Sequence, residues 1–283
     1  MTAYRKVAKV LKGRRTSDGA GVKLTRLFSN ETVTLTDPFL LLDFFGSDRP
    51  EDYMAGFPLH PHRGIETVTY MLDGYVDHQD SIGNKGSIGP GDVQWMTAGN
   101  GILHEEMPQR SEGWMCGLQL WVNLPRAKKM MTPRYRGVLS GSIPRVELDD
   151  GSVVKVIAGE FQGSRGPVED LVVNAEYLDV NLRSGTSLEH KVPKDMNTFA
   201  MVYGGSLLFG GAQEVTSGNV AVFGSGDAVS VVGGEKGARF ILVSGTPLHE
   251  PIAWGGPIVM NTGEELDKAF LELKNGTFIK TAP

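Results

Sequence analysis

Two short motifs, each with metal-binding side chains two residues apart, constrain this 283-residue chain more than any other feature. The first is His60-Pro61-His62 and the second is His104-Glu105-Glu106. In an extended strand, residues i and i+2 point to the same face. Neighbouring strands that carry the two motifs would therefore bring three imidazoles and one carboxylate to one point. Such a set of donors suits a divalent iron, manganese, nickel or zinc ion.

The same spacing also permits a simpler interpretation of these histidines. A single histidine near a turn is commonly a hydrogen-bonded residue of the surface or the core. The chain has six histidines, and three of them fall within the two motifs. On spacing alone, a metal site and a set of structural histidines therefore both stay open.

The composition favours a β fold. The chain contains 37 glycines and 15 prolines, and 40% of its residues are hydrophobic. This composition is typical of many short strands joined by tight turns. A chain of 283 residues is long enough for one large domain or two ordinary ones. Because the second half repeats the first in outline, we predict an all-β protein with two domains, residues 1–140 and 141–283.

Apolar alternation and glycine-rich turns predict where the strands lie. Residues 22–28 and 31–35 are predicted as a hairpin, followed by a buried strand over residues 39–42, and residues 118–124 show the clearest period of two. One helix is predicted, beginning at a capping box formed by Thr262 and Glu265. In the second half, the predicted strands cover residues 153–158, 177–182, 199–202, 220–223, 228–232 and 239–244.

Charge and hydropathy exclude several classes of partner. The net charge of −5 gives no general attraction to phosphate backbones, so we predict no direct binding of nucleic acid. The basic segment 126–136 is better explained as a solvated connection between domains. No apolar run reaches the roughly 18 residues of a membrane helix, so no membrane association is predicted.

The cysteine count and the N-terminus bear on location. Cys116 is the one cysteine and cannot form an internal disulfide, which suits a reducing compartment. The basic first fifteen residues superficially resemble a transit peptide, but residues 7–11 fit a basic-edged first strand better. We predict a cytoplasmic monomer, with a nuclear location also open in a eukaryote.

The residues around both motifs resemble the pirin family of the cupin superfamily. The resemblance implies a bicupin, with two cupin-type antiparallel β-barrels, to which the predicted short C-terminal helix adds. It implies a single iron held by His60, His62, His104 and Glu106 and a metal-free second barrel. The similarity covers nearly the whole chain and is carried by residues 60–68, 90–99 and 101–107, with further matches at 37–43 and 256–262.

The carboxylate ligand has two candidates. Cupins in general take it from a glutamate four residues after the second histidine, which here is Glu66. Pirins take it from the glutamate two residues after the third histidine, which is Glu106. Glu106 shares a strand face with His104, and Glu66 would share one with His60 and His62, so we favour Glu106 and leave Glu66 open.

The resemblance also implies a reaction. Pirin-like proteins are associated with quercetin 2,3-dioxygenase activity, in which O2 opens the flavonol heterocycle and carbon monoxide is released. We therefore expect an Fe(II)-dependent dioxygenase that acts on a small phenolic substrate, with manganese, nickel, zinc or copper as other ions that fit the donors. Glu106 would be both a ligand and the base that accepts the proton of the substrate hydroxyl.

A second interpretation belongs to a different class of protein. Some pirin relatives act as iron-containing regulators that bind transcription factors or metabolic enzymes, and this function would need a protein partner instead of a substrate slot. For the dioxygenase, Trp95, Met96, Met107 and Phe57 are candidates for the slot, although each could equally belong to the core. Arg63 could neutralise a carboxylate or fix the segment that carries His60 and His62, which we call the metal loop.

Overall fold

The chain forms 24 β-strands in residues 2–210 and 213–281, the ranges that this computed structural model describes. The first twelve are β1 (Val7–Lys12), β2 (Arg14–Asp18), β3 (Val22–Phe28), β4 (Phe39–Ser47), β5 (Phe57–His62), β6 (Ile65–Asp73), β7 (Val76–Asp80), β8 (Lys85–Ile88), β9 (Val93–Thr97), β10 (Ile102–Pro108), β11 (Met115–Asn123) and β12 (Arg134–Val138). The others are β13 (Arg145–Glu147), β14 (Val153–Ala158), β15 (Glu160–Phe161), β16 (Ser164–Arg165), β17 (Ala175–Leu182), β18 (Ser187–Lys191), β19 (Asn197–Phe209), β20 (Gln213–Thr216), β21 (Asn219–Phe223), β22 (Ala228–Gly245), β23 (Ala253–Gly255) and β24 (Ile258–Met260).

Two α-helices interrupt the strands, α1 (Val33–Thr36) and α2 (Gly263–Lys274). The capping box predicted for α2 is confirmed, because the Thr262 side chain accepts from the Glu265 backbone and the Glu265 side chain accepts from the Thr262 backbone. The strand predicted at residues 31–35 is wrong. That segment is a 3₁₀ turn followed by α1, and it buries Thr32 and Thr36, a spacing of four that belongs to a helix.

Contacts group the chain into two units. We call the one that contains both histidine motifs the motif unit; it comprises Arg15–Asn30, Phe39–Ser140 and the chain from Leu248 on. The second unit comprises the chain up to Arg14, Glu31–Pro38 and Gly141–Pro247.

The predicted division at residue 140 stays a prediction about domains, but three segments group differently in the structure. The chain up to Arg14 joins the second unit because β1 pairs antiparallel with β21. Glu31–Pro38 joins it as well, and the Asn197 side chain there donates to the Asp37 carbonyl. The chain from Leu248 on joins the motif unit, where Ile258 of β24 forms a bridge with Arg63 and Glu272 of α2 accepts from the Arg63 side chain. These pairings link residues far apart in sequence, which no local pattern reveals.

The motif unit is built from two main antiparallel sheets. One has the strand order β12-β9-β6-β11-β4-β3-β2 and the other the order β5-β10-β7-β8. One hydrophobic cluster contains residues from both sheets, including Leu24 and Phe45 from the first and Val76 and Ile88 from the second. The motif strands β5 and β10 are neighbours in the shorter sheet, with β5 at its edge as Pro61 predicts.

The second unit contains a nine-stranded antiparallel sheet that surrounds its own apolar core. The strands predicted at 228–232 and 239–244 are a single strand, β22, because Gly233 pairs with Leu207 of β19 and the pairing continues at Ala238 opposite Gly205 after a register shift. A Cβ at Gly205 would lie 2.0 Å from the carbonyl oxygen of Gly237, so glycine permits close strand approach here. His190 in this unit is 2.7 Å from Glu176.

Neither described helix is long and apolar enough to cross a membrane.

Candidate metal centre

Three histidines from the two motifs converge in the motif unit. His60 lies directly opposite His104 on the paired strands β5 and β10. The ligand atoms of His60, His62 and His104 all lie within 4.8 Å of one another. Two of these atoms, Nε2 of His60 and Nε2 of His62, are 3.1 Å apart. The i, i+2 argument therefore brings the three imidazoles together, as a metal site requires.

Backbone carbonyls fix the orientation of two of the rings. Nδ1 of His60 is 2.9 Å from the Pro58 oxygen, and Nδ1 of His62 is 3.0 Å from the Pro257 oxygen. A carbonyl can only accept, so each Nδ1 carries the proton and donates it. Each Nε2 is then left with a lone pair, which is the usual arrangement of metal-binding histidines.

The third ring has buried nitrogens without partners. His104 is fully buried, and neither of its ring nitrogens has a hydrogen-bond partner among the residues that the structure describes. Unpaired buried polar atoms cost free energy, so their presence calls for an explanation. A divalent ion bound at the three histidines would occupy one of them, and the donor set therefore fits a metal.

Burial keeps the rings of His62 and His104 neutral. Desolvation, followed by the neighbouring His60 charge, lowers the pKa of His62 to about 3. Desolvation, with His62, His60 and His78 nearby, also holds the pKa of His104 well below its usual value. Since imidazole binds a metal only when deprotonated, His62 and His104 are in their ligand form at neutral pH.

Glu106 lies next to these histidines but outside the 4.8 Å group among the described residues. Its Oε1 accepts from Thr69 at 2.8 Å and from Gln94 at 3.0 Å, whereas its Oε2 has only a long contact of 3.5 Å with Gln119. The amide groups of Gln94 and Gln119 can only donate, whereas the single proton of the Thr69 hydroxyl is shared between Glu106 and Oε1 of Gln119, which is 2.5 Å away. Oε2 thus keeps the capacity to bind a cation or accept a proton.

Glu66 is committed elsewhere. Its carboxylate accepts from the Trp95 indole at 3.1 Å, from Thr97 at 2.5 Å and from Arg136 at 3.3 Å, and it is fully buried. The chain turns at Gly64 between β5 and β6, so the parity counted from His62 does not continue into β6. Thr69, three residues later, contacts Glu106, and Glu66 therefore faces the other side of the sheet.

The C-terminal segment of the motif unit supports the loop that carries His62. Arg63 is fully buried, and it donates to Glu272 at 2.8 Å and to the Phe278 carbonyl at 2.8 Å. It therefore fills both roles that the sequence left open. The Val259 backbone N–H also donates to the Arg63 oxygen at 3.1 Å. Together with Pro257, these contacts position the metal loop through residues almost two hundred positions away.

Lys129 is a buried part of the same support. The sequence placed it in a solvated connection, which is wrong, because the side chain is only 2% exposed. Its ammonium donates to the carbonyls of Gly64 and Val259, each at 2.9 Å, and to Asn123 Oδ1 at 2.6 Å. Three uncharged acceptors surround it, and desolvation lowers the pKa of Lys129 to about 7.

This pKa predicts a pH dependence of stability. Between pH 7 and pH 10.5 the unfolded chain binds the Lys129 proton more strongly than the folded one, so folding gains stability as the pH rises through this window. The unfolding free energy of the metal-free parent minus that of Lys129→Met should rise by up to about 1.4 kcal/mol per pH unit. Urea unfolding at several pH values measures this difference, and a flat or falling difference would contradict it.

A cavity of about 720 Å³ reaches the candidate ligands. His60, His62 and Glu106 are at its wall, which makes the centre accessible to a small molecule. Apolar side chains line much of the rest, and Trp121 is edge-on to His62 with ring centroids 5.0 Å apart. At the cavity wall, Arg26 makes a bidentate ion pair with Asp43, with contacts of 2.9 and 2.7 Å. The cavity thus combines an apolar slot with two polar sites, the candidate metal ligands and the Arg26–Asp43 ion pair.

Of the four candidates for the slot, Phe57 lines the cavity in the described part of the chain. Trp95 and Met96 are fully buried core residues, as the simpler interpretation allowed. Met107 packs instead against Gly56. Sequence reasoning missed Trp121 and Trp254, and it missed His78 and Asp80, although His78-Gln79-Asp80 repeats the spacing of the histidine motifs.

Comparison with known proteins places the chain in a family. Residues 21–122 match the family Pirin, and residues 177–279 match the Pirin C-terminal cupin domain. A pirin-like protein of Caulobacter vibrioides is 47% identical over 97% of this chain and 99% of its own length. This chain belongs to the pirin family. The predicted all-β architecture of two cupin domains with a short C-terminal helix is therefore confirmed.

Two further pirin-family relatives carry an activity in their names. A protein of Pseudomonas aeruginosa, provisionally named a quercetin 2,3-dioxygenase, is 43% identical over 98% of this chain and 99% of its own. A crystal structure titled quercetin 2,3-dioxygenase, from Acinetobacter baumannii, superposes with a TM-score of 0.89 at 34% identity. The match covers 97% of this chain and 98% of that one.

Proposed function

We propose that this pirin-family protein is an Fe(II)-dependent quercetin 2,3-dioxygenase, which opens the flavonol heterocycle with O2 and releases carbon monoxide. The observation that carries the proposal is the group of three histidines whose ligand atoms lie within 4.8 Å of one another, two of which, His60 and His62, line an accessible cavity. Structural metal sites are closed, whereas catalytic ones keep a position open to substrate. Similarity to proteins named quercetin 2,3-dioxygenase supports the reaction class.

His60, His62 and His104 would hold the ion, with Glu106 as the carboxylate ligand. When bound, iron supplies Lewis acidity and the one-electron chemistry that reaction with O2 requires. Three imidazoles and one carboxylate also suit manganese, nickel, zinc or copper. A reaction with O2 favours a redox-active ion, and among such ions we propose iron because the resemblance to pirins implies it.

The chain's own groups would bind and deprotonate the substrate. Oε2 of Glu106 would accept the proton of the flavonol 3-hydroxyl, while the donors Thr69 and Gln94 hold Oε1 in place. Trp121 and Phe57 offer aromatic faces and edges for a planar ring system. The apolar wall would keep bulk water from the reacting atoms. The protein would act in the cytoplasm as a monomer.

Paired carboxylate variants test this proposal. Iron-loaded parent protein is expected to consume quercetin and release carbon monoxide faster than the same concentration of free iron. Glu106→Gln should lower kcat by about 100-fold or more, because a positioned base contributes that much. Glu66→Gln is the matched control and should stay within a few-fold of the parent, although it should lose about 1–3 kcal/mol of stability where its donors lose a carboxylate.

Three measurements decide the outcome: quercetin absorbance, carbon monoxide in the headspace and iron content per chain. Turnover no faster than that of free iron would overturn the dioxygenase. It would favour the iron-containing regulator that binds a protein partner, the second interpretation of the sequence. A loss in Glu66→Gln that equals the loss in Glu106→Gln would remove Glu106 from its proposed role.

A further inference from the structure

A second pair of titratable residues lies on the same sheet face as the candidate ligands. In the register of β7 with β10, His78 is opposite Glu106 and Asp80 is opposite His104. Residues directly opposite on antiparallel strands point to the same side of the sheet. His78 and Asp80 therefore share the face of the two motif residues on β10, although neither belongs to the motifs.

This pair is rigidly built. His78 is 2% exposed, its Nε2 lies 3.2 Å from Oδ2 of Asp80, and its ring stacks on Tyr135 with centroids 4.7 Å apart. Asp80 is fixed in turn, because its oxygens accept from the Asn84 side chain at 2.8 Å and from the backbone N–H groups of Ile82 and Asn84 at 3.0 Å.

The tautomer of His78 follows from its partner. A carboxylate only accepts, so Nε2 of His78 carries the proton and donates it to Asp80. Nδ1 is then an acceptor, and it is buried without a hydrogen-bond partner in the described part of the chain. A buried acceptor of this kind requires a donor.

His104 lacks the complementary group. If one of its nitrogens binds the ion, the other carries a proton and needs an acceptor. His60 and His62 have such acceptors in the carbonyls of Pro58 and Pro257. His104 has none among the described residues, yet its ring centroid lies 5.5 Å from that of His78, with the planes tilted by 56°. At this separation a rotation of the His104 ring can bring one of its nitrogens to roughly 3 Å from Nδ1 of His78, the length of a hydrogen bond.

We propose that Nδ1 of His78 accepts the hydrogen bond from the non-ligating nitrogen of His104. His78 and Asp80 are then positioning residues, which hold the His104 ring in its ligand tautomer through a chain from carboxylate to imidazole to imidazole. The proposal rests on the proposed metal centre and deepens it. It satisfies two buried atoms with one contact, and it gives all three candidate histidine ligands an outer partner.

Metal affinity is the first test, with cobalt(II) as the probe in competition with a chromophoric chelator. His78→Phe keeps a ring against Tyr135 but removes the acceptor, and it should weaken cobalt binding by about 10–100-fold. His78→Asn places an oxygen near the position of Nδ1 and should recover most of that loss. His190→Gln alters a histidine of the second unit that is also paired with a carboxylate, and it should bind like the parent.

A tautomer measurement gives a readout that packing alone would not move. In zinc-loaded protein labelled with ¹⁵N, the His104 ring N–H should be protected from solvent exchange and hydrogen-bonded to a histidine nitrogen. This signal should be lost in His78→Phe. Thermal unfolding of the metal-free variants shows whether each one is folded before its affinity is compared.

The outcomes separate this proposal from the metal centre itself. Equal cobalt affinity of His78→Phe and the parent would overturn the proposal. So would a His78→Asn protein as impaired as His78→Phe, since His78 would then act through its ring and not through an acceptor. If His104→Ala also binds cobalt like the parent, the metal centre fails, and the proposed function fails with it.

Discussion

Replacing His104 by alanine is expected to abolish metal binding and flavonol turnover together. His104 is one of three imidazoles in the group, and it is the most deeply buried of them. Replacement of an outer partner costs about 10–100-fold in affinity, so loss of a direct ligand should exceed about 100-fold. Because both ring nitrogens are unpaired in the described structure, the change also removes two buried polar atoms. The metal-free variant should therefore lose less stability than a comparable apolar truncation.

Metal-dependent stabilisation measures this effect without an activity assay. An ion at 100 times its dissociation constant stabilises the folded state by about 2.7 kcal/mol, so the parent should unfold at a higher temperature when iron(II) is added under anaerobic conditions. His104→Ala should show no such rise, and His190→Ala should show the full rise. A rise of equal size in His104→Ala would mean that the ion binds elsewhere.

The histidine group was accessible to sequence analysis because its rule is local. Alternation along a strand places i and i+2 on one face, and the structure brings His60, His62 and His104 together, whereas Glu106 lies outside that group in the described residues. The same rule misplaced Glu66, because the turn at Gly64 breaks the strand and resets the parity. Local patterns hold only as far as the element that carries them.

Features that depend on pairing between distant segments were not accessible. No local pattern shows that the Pro257 carbonyl contacts His62 or that Lys129 is buried against Val259. A basic residue near several others reads as solvated, and only the tertiary fold reveals the acceptors around it. His78 was missed for a related reason, since its relation to His104 arises from strand register.

The fold shows the same limit. Capping chemistry predicted α2 because the side chains of Thr262 and Glu265 make the contacts themselves. The assignment of β1 to the second unit depends on pairing with β21, more than two hundred residues away. Glycines between 228–232 and 239–244 suggested a turn, yet they lie within the continuous strand β22, where neighbouring strands approach closely.

Replacing Gly64, in the turn between β5 and β6, is expected to have a large effect on stability. Gly64 has a φ of +78°, and a Cβ there would lie 2.0 Å from the carbonyl oxygen of Val259, which is backbone and cannot move aside like a side chain. Gly64→Ala should therefore destabilise the metal-free protein by more than about 4 kcal/mol or prevent folding. Because the residue follows His62-Arg63, any folded variant should also bind iron weakly.

Gly163→Ala separates the close contact from the backbone strain. Gly163 has a φ of +81°, almost that of Gly64, but a Cβ there would meet nothing within 4 Å. Its replacement should cost about 1 kcal/mol, the usual penalty for a side chain in left-handed backbone. Urea unfolding of both variants provides the comparison. A similar loss in the two would show that strain alone matters at Gly64, and that the C-terminal segment does not press against the metal loop as the contacts with Val259 indicate.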